Sequence, residues 1–161
     1  MSCASRALDL MALYRGIAAT RMVGVPLCHP ALQVAKVGFE PEPGSGGAAG
    51  VLVTPWFMNL VWFPCGEPLA DALPELGAGQ MRARRIGNRS LDFIGAHEPD
   101  FGPYEACSLF SPMFEFADQA AALATAEAVL ALLRQPPEPL PDPMPQPVPA
   151  RRSFLFGRSA A

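Results

Sequence analysis

The side chains that could carry out chemistry are few and scattered. The 161-residue chain contains two histidines and four cysteines, and catalysis needs a nucleophile, a base or a metal set that the fold brings together. Cys28 and His29 are neighbours in the sequence, but adjacent residues of an extended chain point to opposite sides and pair poorly as thiolate and base. No phosphate-loop or dinucleotide spacing is present. We therefore expect no enzyme activity and no cofactor.

The cysteines are far apart in the sequence and form no C-x-x-C pair. This spacing favours free thiols in a reducing compartment over a disulfide framework or a metal site. The prediction of free thiols applies to all four cysteines, Cys3, Cys28, Cys65 and Cys107.

Composition indicates one packed domain with a protein partner. Half of the residues are hydrophobic and only 17% are charged, a balance that favours a packed fold. A net charge of −3 argues against nucleic acid or an anionic membrane surface as the partner. The longest apolar stretch, residues 51–63, is interrupted and too short to cross a bilayer, so we expect no membrane insertion. Arg6, Asp9 and Arg15 fall where an export signal would be apolar, which predicts a cytoplasmic protein.

Two helices and several strands would have to position any site. Apolar residues at steps of three and four predict a helix over residues 4–21, and a second helix is predicted from Asp118 to about Gln135. Strands are predicted over residues 31–40, with a bulge near Ala35 and Lys36, and over 80–86, 90–96 and 104–110. Residues 50–64 form two strands or one strand bent at Pro55. The predicted buried faces are Ala7, Leu10, Tyr14 and Ile17 in the first helix and Leu123, Ala126, Leu130 and Leu133 in the second.

The predicted fold class is α+β. An antiparallel sheet of about five or six strands is flanked by the N-terminal and the C-terminal helix within a single domain, residues 1–135. Prolines at nearly every second position then predict an extended spacer over residues 136–149. A basic and aromatic C-terminal peptide, residues 150–161, follows the spacer.

Residues 55–64 are apolar on both faces if the segment is extended. Side chains of a strand alternate, so Phe57, Asn59, Val61 and Phe63 would share one face and Trp56, Met58, Leu60 and Trp62 the other. A second apolar face must be covered by a helix or presented to a partner. Both interpretations, a core and a binding groove, remain open from the residues alone.

Two clusters of charged residues follow this segment in the sequence. Arg82, Arg84 and Arg85 are expected to form a solvated face or a charged strand edge. Around a turn, Glu98, Asp100 and Glu105 could receive a basic peptide as charges at the rim of a groove, although such clusters are usually only solvated.

Three separated stretches resemble the NiFe-hydrogenase assembly chaperone family of the HybE/HupJ/HoxT type, in the family's order. They are residues 50–61 with Thr54-Pro55-Trp56, residues 107–113 with Ser111-Pro112-Met113 running into 116–119, and residues 151–158. The resemblance implies a chaperone without catalysis that binds the small or large subunit precursor of an uptake hydrogenase. It further implies delay of twin-arginine export or protection of the iron–sulfur subunit, with a rubredoxin-like or other maturation protein as a further partner.

The strand face and the matched blocks together nominate a partner-binding region. An alternative function is a thiol-dependent redox or oxygen-protection factor in iron–sulfur subunit assembly, which would use Cys65 or Cys107. The nominated partner-binding residues are Trp56, Phe57, Met58, Leu60, Trp62, Leu109, Phe110, Pro112 and Met113.

Overall fold

A computed structural model describes residues 1–136 and 139–143, and it confirms the predicted α+β class. Six antiparallel strands form one sheet in the order β1-β2-β3-β6-β5-β4, with a helix before it and a helix after it in the chain. No helix of the described part is long and apolar enough to span a membrane. Most of the predicted spacer and all of the peptide 150–161 lie outside the described residues. The elements are α1 Cys3–Ala19, β1 Ala35–Glu42, β2 Gly47–Val53, β3 Met58–Pro64, β4 Met81–Ile86, β5 Arg89–Glu98, β6 Gly102–Phe110 and α2 Gln119–Arg134.

Both helices begin at capping side chains and bury one face. Ser2 Oγ accepts a hydrogen bond from the Ser5 amide, and the Asp118 carboxylate accepts one from the Ala121 amide at 2.8 Å. The buried face of α1 is the predicted one. In α2 the buried face includes Ala122, whereas the predicted Leu123 is only half-buried.

The bulge in β1 lies further along than predicted. The strand begins at Ala35 rather than residue 31, and its pairing with β2 slips between Val37 and Glu40. Gly38 lies inside this slip with a φ of +59°, and a Cβ there would come within 2.6 Å of Leu130 Cδ1. Only glycine tolerates both conditions, so the bulge forms at Gly38 and not at Ala35 or Lys36.

Residues 50–64 contribute to two strands, β2 and β3, joined by a tight turn at Pro55. Thr54 Oγ1 accepts hydrogen bonds from the amides of Trp56 and Phe57, at 3.2 and 2.9 Å. The Thr54 amide in turn donates to the Phe57 carbonyl at 2.8 Å. The threonine therefore sets the geometry of the Thr-Pro-Trp turn.

Both faces of β3 are covered by helices, as one of the two interpretations expected. Val61 and Phe63 lie in the cluster under α1, whereas Met58, Leu60 and Trp62 lie in the cluster on the α2 side. The sheet also curls, and this brings the turn after β4 close to the far edge strand, β1. The Gly87 amide lies 3.5 Å from Glu42 Oε2. The Asn88 amide donates to the Leu133 carbonyl at 2.8 Å, so this turn meets the end of α2.

Cys3 and Cys65 form a disulfide bond across 62 positions of sequence, so the expectation of free thiols is wrong for this pair. Packing of the first turn of α1 against the end of β3 brings the two Cα atoms to 5.2 Å, a distance at which a bridge can form. Cys28 and Cys107 are free and half-buried.

A buried pair of tyrosines under α1 allows a first test. The hydroxyl groups of Tyr14 and Tyr104 are 2.6 Å apart and hydrogen-bonded, and burial raises the pKa of both groups. Replacing Tyr104 with phenylalanine leaves the Tyr14 hydroxyl without this partner, and we expect a loss of about 1–2 kcal/mol in the free energy of unfolding measured in urea. Because each single change orphans the other hydroxyl, the double change to phenylalanine should cost less than the sum of the two single changes. Additive costs would contradict the coupling.

Candidate functional site

Two of the stretches that carry the family resemblance, the one with Thr54-Pro55-Trp56 and the one from residue 107 to 119, meet at one end of the sheet, around His29. The third, residues 151–158, lies outside the described residues. The His29 amide donates to the Pro55 carbonyl at 2.8 Å, which ties it to the Thr-Pro-Trp turn. Its Nδ1 accepts from the Ala31 amide at 3.0 Å, so Nε2 carries the proton and donates to the Phe116 carbonyl at 2.8 Å. His29 thus connects two matched blocks, one through its amide and the other through its ring. We call this region the motif end, residues 28–31, 54–57 and 109–116.

Aromatic side chains lie on both sides of His29 at the motif end. Towards α1, Phe57 packs edge-on against Tyr14 with 5.6 Å between ring centroids. Towards α2, Phe110 packs against Phe116 at 5.1 Å, and Phe114 stacks on the imidazole at 6.0 Å. Phe114 keeps 53% of its surface exposed. The motif end therefore presents apolar surface on a hydrogen-bonded framework.

The structure separates the nominated partner-binding residues into two groups. Trp56, Phe57, Leu109 and Phe110 are half-buried and Pro112 is exposed, so a partner could touch all five at the motif end. The other four are buried and would be reached only by opening the core. Of these, Trp62 lies four residues along β3 from Met58, about 13 Å away. The buried four are Met58, Leu60, Trp62 and Met113.

Sequence reasoning did not nominate Phe114 or assign a role to His29. Phe114 directly follows the Ser-Pro-Met block, and His29-Pro30 lies in a short turn signal. These sequence neighbours were the only features of the pattern that could have drawn attention to Phe114 and His29. The three-dimensional contact between them was not readable, because 87 positions separate His29 from Phe116.

The expected rim acids do not border the motif end. Glu98 and Asp100 lie at the turn that precedes β6, and Glu105 lies five residues before Phe110 on that strand, about 17 Å away. The Glu98 carboxylate is paired with Arg21 at 2.9 Å, while Asp100 is exposed.

Glu105 is instead the centre of a buried ion cluster. Arg84 Nε and Nη2 each donate to its carboxylate at 2.7 Å, and Arg82 donates from Nε and Nη2. Arg84 also stacks on the Trp62 ring, with its guanidinium carbon 3.5 Å from the ring centroid. The expectation of a solvated arginine edge is therefore wrong for Arg82 and Arg84, and holds for the exposed Arg85. Burial alone would raise the pKa of Glu105, but the hydrogen bonds from Arg84 and Arg82 together hold it below its ordinary value.

A cavity of about 510 Å³ opens beside this cluster, beneath the connection formed by residues 66–76. A second cavity of about 220 Å³ adjoins it and shares Trp62, Pro64 and Leu73. Leu69 and Leu73 at its border are 43% and 61% exposed. We call the two together the loop cavity.

The side chains that could do chemistry are not assembled for it. The Cys28 thiol points to the Met22 carbonyl at 3.6 Å, and both ring nitrogens of His29 are used by the backbone, so the two do not form a thiolate–base pair. Burial, helped by the charge of Asp92, raises the pKa of the Cys107 thiol. A raised pKa makes it a poor nucleophile at neutral pH.

Fold and motif end define a class: a small α+β protein with exposed apolar side chains on a hydrogen-bonded framework. A family model described as "[NiFe]-hydrogenase assembly, chaperone, HybE" matches residues 5–157. The chain belongs to this family of [NiFe]-hydrogenase assembly chaperones.

Individual relatives agree with this assignment. The chain is 54% identical to the protein HoxT of Cupriavidus necator over 151 residues, which is 88% of this chain and 83% of the relative. It is 42% identical to the hydrogenase expression/formation protein HupT of Azotobacter chroococcum, over 80% of this chain and 83% of the relative. The solution structure of HybE from Escherichia coli has the same fold, with a TM-score of 0.63 at 22% identity over 97% of this chain and 91% of that chain.

Proposed function

We propose that the motif end binds precursor subunits of a NiFe uptake hydrogenase, small or large, in the cytoplasm. Binding would delay twin-arginine export or protect the iron–sulfur subunit until maturation is complete. A rubredoxin-like or other maturation protein would be a further partner of the same assembly step. The chain itself would catalyse nothing.

The observation that carries this proposal is the set of apolar side chains held at the motif end. Phe114 is exposed although it belongs to a segment fixed by the His29–Phe116 hydrogen bond, and Trp56 is held half-exposed by the Thr54 turn. A surface fixed in advance loses little conformational entropy on binding. Large aromatic residues on such a surface are the usual source of binding free energy between proteins.

Alanine at Phe114 and at Trp56 tests the proposal better than alanine at Met58. Met58 is fully buried, so its replacement would report on the core. We expect each of the two surface changes to weaken capture of the hydrogenase subunits by about 30-fold, the effect of losing roughly 2 kcal/mol at a binding hot spot. The measurement is co-purification of each subunit from cells that make the hydrogenase, followed by titration with the captured subunit.

Leu132→Ala is the matched control, because Leu132 is 60% exposed but lies on α2 outside the motif end. The control should bind the subunits normally. Normal binding by a folded Phe114→Ala, Trp56→Ala double variant would refute the motif end as the binding surface.

The thiol-dependent alternative uses residues that the structure places in poor positions for it. Cys65 is bonded to Cys3, and the raised pKa of Cys107 keeps that residue in its thiol form. Cys107→Ser with hydrogenase maturation assayed under air separates the two functions. A binding module should tolerate this change, whereas a thiol factor should lose its protective effect.

A further inference from the structure

The Cys3–Cys65 disulfide bond lies near the surface, where a dissolved thiol can reach it. Both cysteines are only half-buried, and Cys65 also lines the larger part of the loop cavity. Exposed bridges are generally the ones that exchange with other thiols and serve in regulation, whereas structural bridges resist reduction. The position of this bridge therefore favours exchange with a thiol from outside the chain.

The two sulfur atoms of the bridge have unequal surroundings. Cys3 is the first residue of α1 and directly follows the capping Ser2. The unpaired amides at the start of a helix stabilise negative charge, so they favour a thiolate at Cys3. Cys65 follows the last residue of β3 and borders the cavity. An incoming thiolate therefore attacks the Cys65 sulfur, and Cys3 is the leaving group.

The helix α1 has further attachments beyond the bridge. Arg6 Nη2 donates to the Phe101 carbonyl at 3.3 Å, and its guanidinium carbon lies 4.2 Å from the Phe101 ring centroid and 5.5 Å from that of Phe63. Further along the helix, Tyr14 is buried against the sheet. Because these contacts do not involve sulfur, loss of the bridge releases residues 1–5 and leaves the rest of α1 in place.

The released turn borders the loop cavity. Met1 lines the larger part of this cavity together with Cys65. Trp62, which lines both parts, is only 8% exposed, and its Nε1 donates to Ser45 Oγ at 3.1 Å. Displacement of the first turn removes the part of the wall that Met1 forms and gives solvent access to the indole.

We propose that the Cys3–Cys65 bond is a redox-sensitive latch, which a dithiol reductant opens in the folded protein to release residues 1–5 from the end of β3 and uncover the loop cavity. In the cytoplasm, the location proposed above, bridges between protein cysteines are usually transient. The latch acts on this chain and not on a hydrogenase subunit. Its test therefore uses the full chain alone and is separate from that of the motif end.

The dithiol supplies everything that the exchange consumes. One thiolate of the reductant bonds to the Cys65 sulfur, the Cys3–Cys65 bond breaks, and Cys3 leaves as a thiolate that takes up a proton. The second thiolate of the reductant attacks the reductant's own sulfur in the mixed disulfide and releases Cys65, which is protonated in turn. Two electrons and two protons pass to the chain, and the reductant is oxidised to a disulfide.

The rate of reduction by dithiothreitol distinguishes a latch from a structural bridge. We expect the folded chain to be reduced within about tenfold of its rate in concentrated urea, because the bridge is already accessible. A bridge reached only by global unfolding would be reduced at least about 1,000-fold more slowly, since so few molecules are unfolded at any time. Alkylation and peptide mapping measure the rate at Cys3 and Cys65, and such slow reduction would overturn the proposal.

Fluorescence of Trp62 tests whether the cavity opens. The chain has two tryptophans, so Trp56→Phe leaves Trp62 as the single reporter. We expect reduction to raise the acrylamide quenching constant of Trp62 by about threefold through local opening. The control, with Cys3 and Cys65 both changed to serine, should show the higher value with or without dithiothreitol. Unchanged quenching in a reduced chain that retains its circular dichroism would overturn the proposal.

Reclosure tests whether the latch is reversible on the folded chain. Because Arg6 keeps the first turn beside β3, oxidised glutathione should restore the Cys3–Cys65 bond after dithiothreitol is removed. Arg6→Ala should slow this closure by about tenfold, since the two thiols then meet at a lower effective concentration. Arg15→Ala, an exposed change on the same helix, is the control and should close at the wild-type rate. Equal rates in the two variants, or pairing with another cysteine, would overturn the proposal.

Discussion

Replacing Glu105 with alanine is expected to lower the free energy of unfolding by about 3–5 kcal/mol, the usual cost of removing one partner from a buried ion cluster. Glu105 and Arg84 are 3% and 6% exposed, so the change leaves a buried guanidinium without its counter-charge. The melting temperature should fall by about 10–20 °C. Calorimetry and urea titration at pH 7 measure both quantities.

Two comparisons identify the cause of this loss. Glu40→Ala removes an exposed carboxylate 3.5 Å from Arg134 and should change stability by less than about 1 kcal/mol. The double variant Arg84→Met, Glu105→Leu replaces both charges with apolar groups, and it should be more stable than Glu105→Ala. Equal stability of Glu105→Ala and the wild type would contradict a structural role for the cluster.

The same carboxylate makes stability depend on acidity. The folded state lowers the pKa of Glu105, so its contribution is fully present above the ordinary glutamate range and is lost as the pH falls through the lowered value. We expect the wild type to lose stability below about pH 4 more steeply than Glu105→Gln, in which this group cannot titrate. Urea titrations between pH 7 and pH 3 compare the two slopes.

Cys3→Ser is expected to have the second large effect, a loss of about 4 kcal/mol, since the Cys3–Cys65 bond closes a loop of 62 positions that the unfolded chain would otherwise leave open. The bond fastens the first residue of α1 to the end of β3, so α1 should become the least protected element in hydrogen exchange. A thiol reductant should destabilise the wild type by a similar amount and leave Cys3→Ser unchanged.

Cys28→Ser provides the control for this prediction. Cys28 is a free, half-buried thiol, and its replacement should change the melting temperature little. If Cys3→Ser melts like the wild type without reductant, the bond does not contribute to stability.

The sequence predicted those features that depend on local periodicity. The buried face of α1 follows from the spacing of Ala7, Leu10, Tyr14 and Ile17, and the two-sided apolar strand does lie between two helices. Local signals also identified Asp118 as a cap. Such patterns report on neighbours three or four positions apart.

Features that depend on distant partners were missed for a physical reason. Arg82 and Arg84 face a carboxylate on β6, which is not adjacent to their strand in the sheet. Cys3 meets Cys65 only because α1 packs on β3. Gly38 was overlooked as the bulge because the phase slip in the apolar pattern shows that a bulge exists but not which residue adopts a positive φ.

His29 has a consequence for exchanging segments between this chain and a relative. Its amide and its ring bind the backbones of two blocks that are far apart in the sequence, so neither block can change its path without the other. A chimera that imports a differently shaped Thr-Pro-Trp turn alone from a relative would misalign the second block, whereas a chimera importing both with the histidine turn would preserve the geometry. In this chain the three segments should therefore be exchanged together.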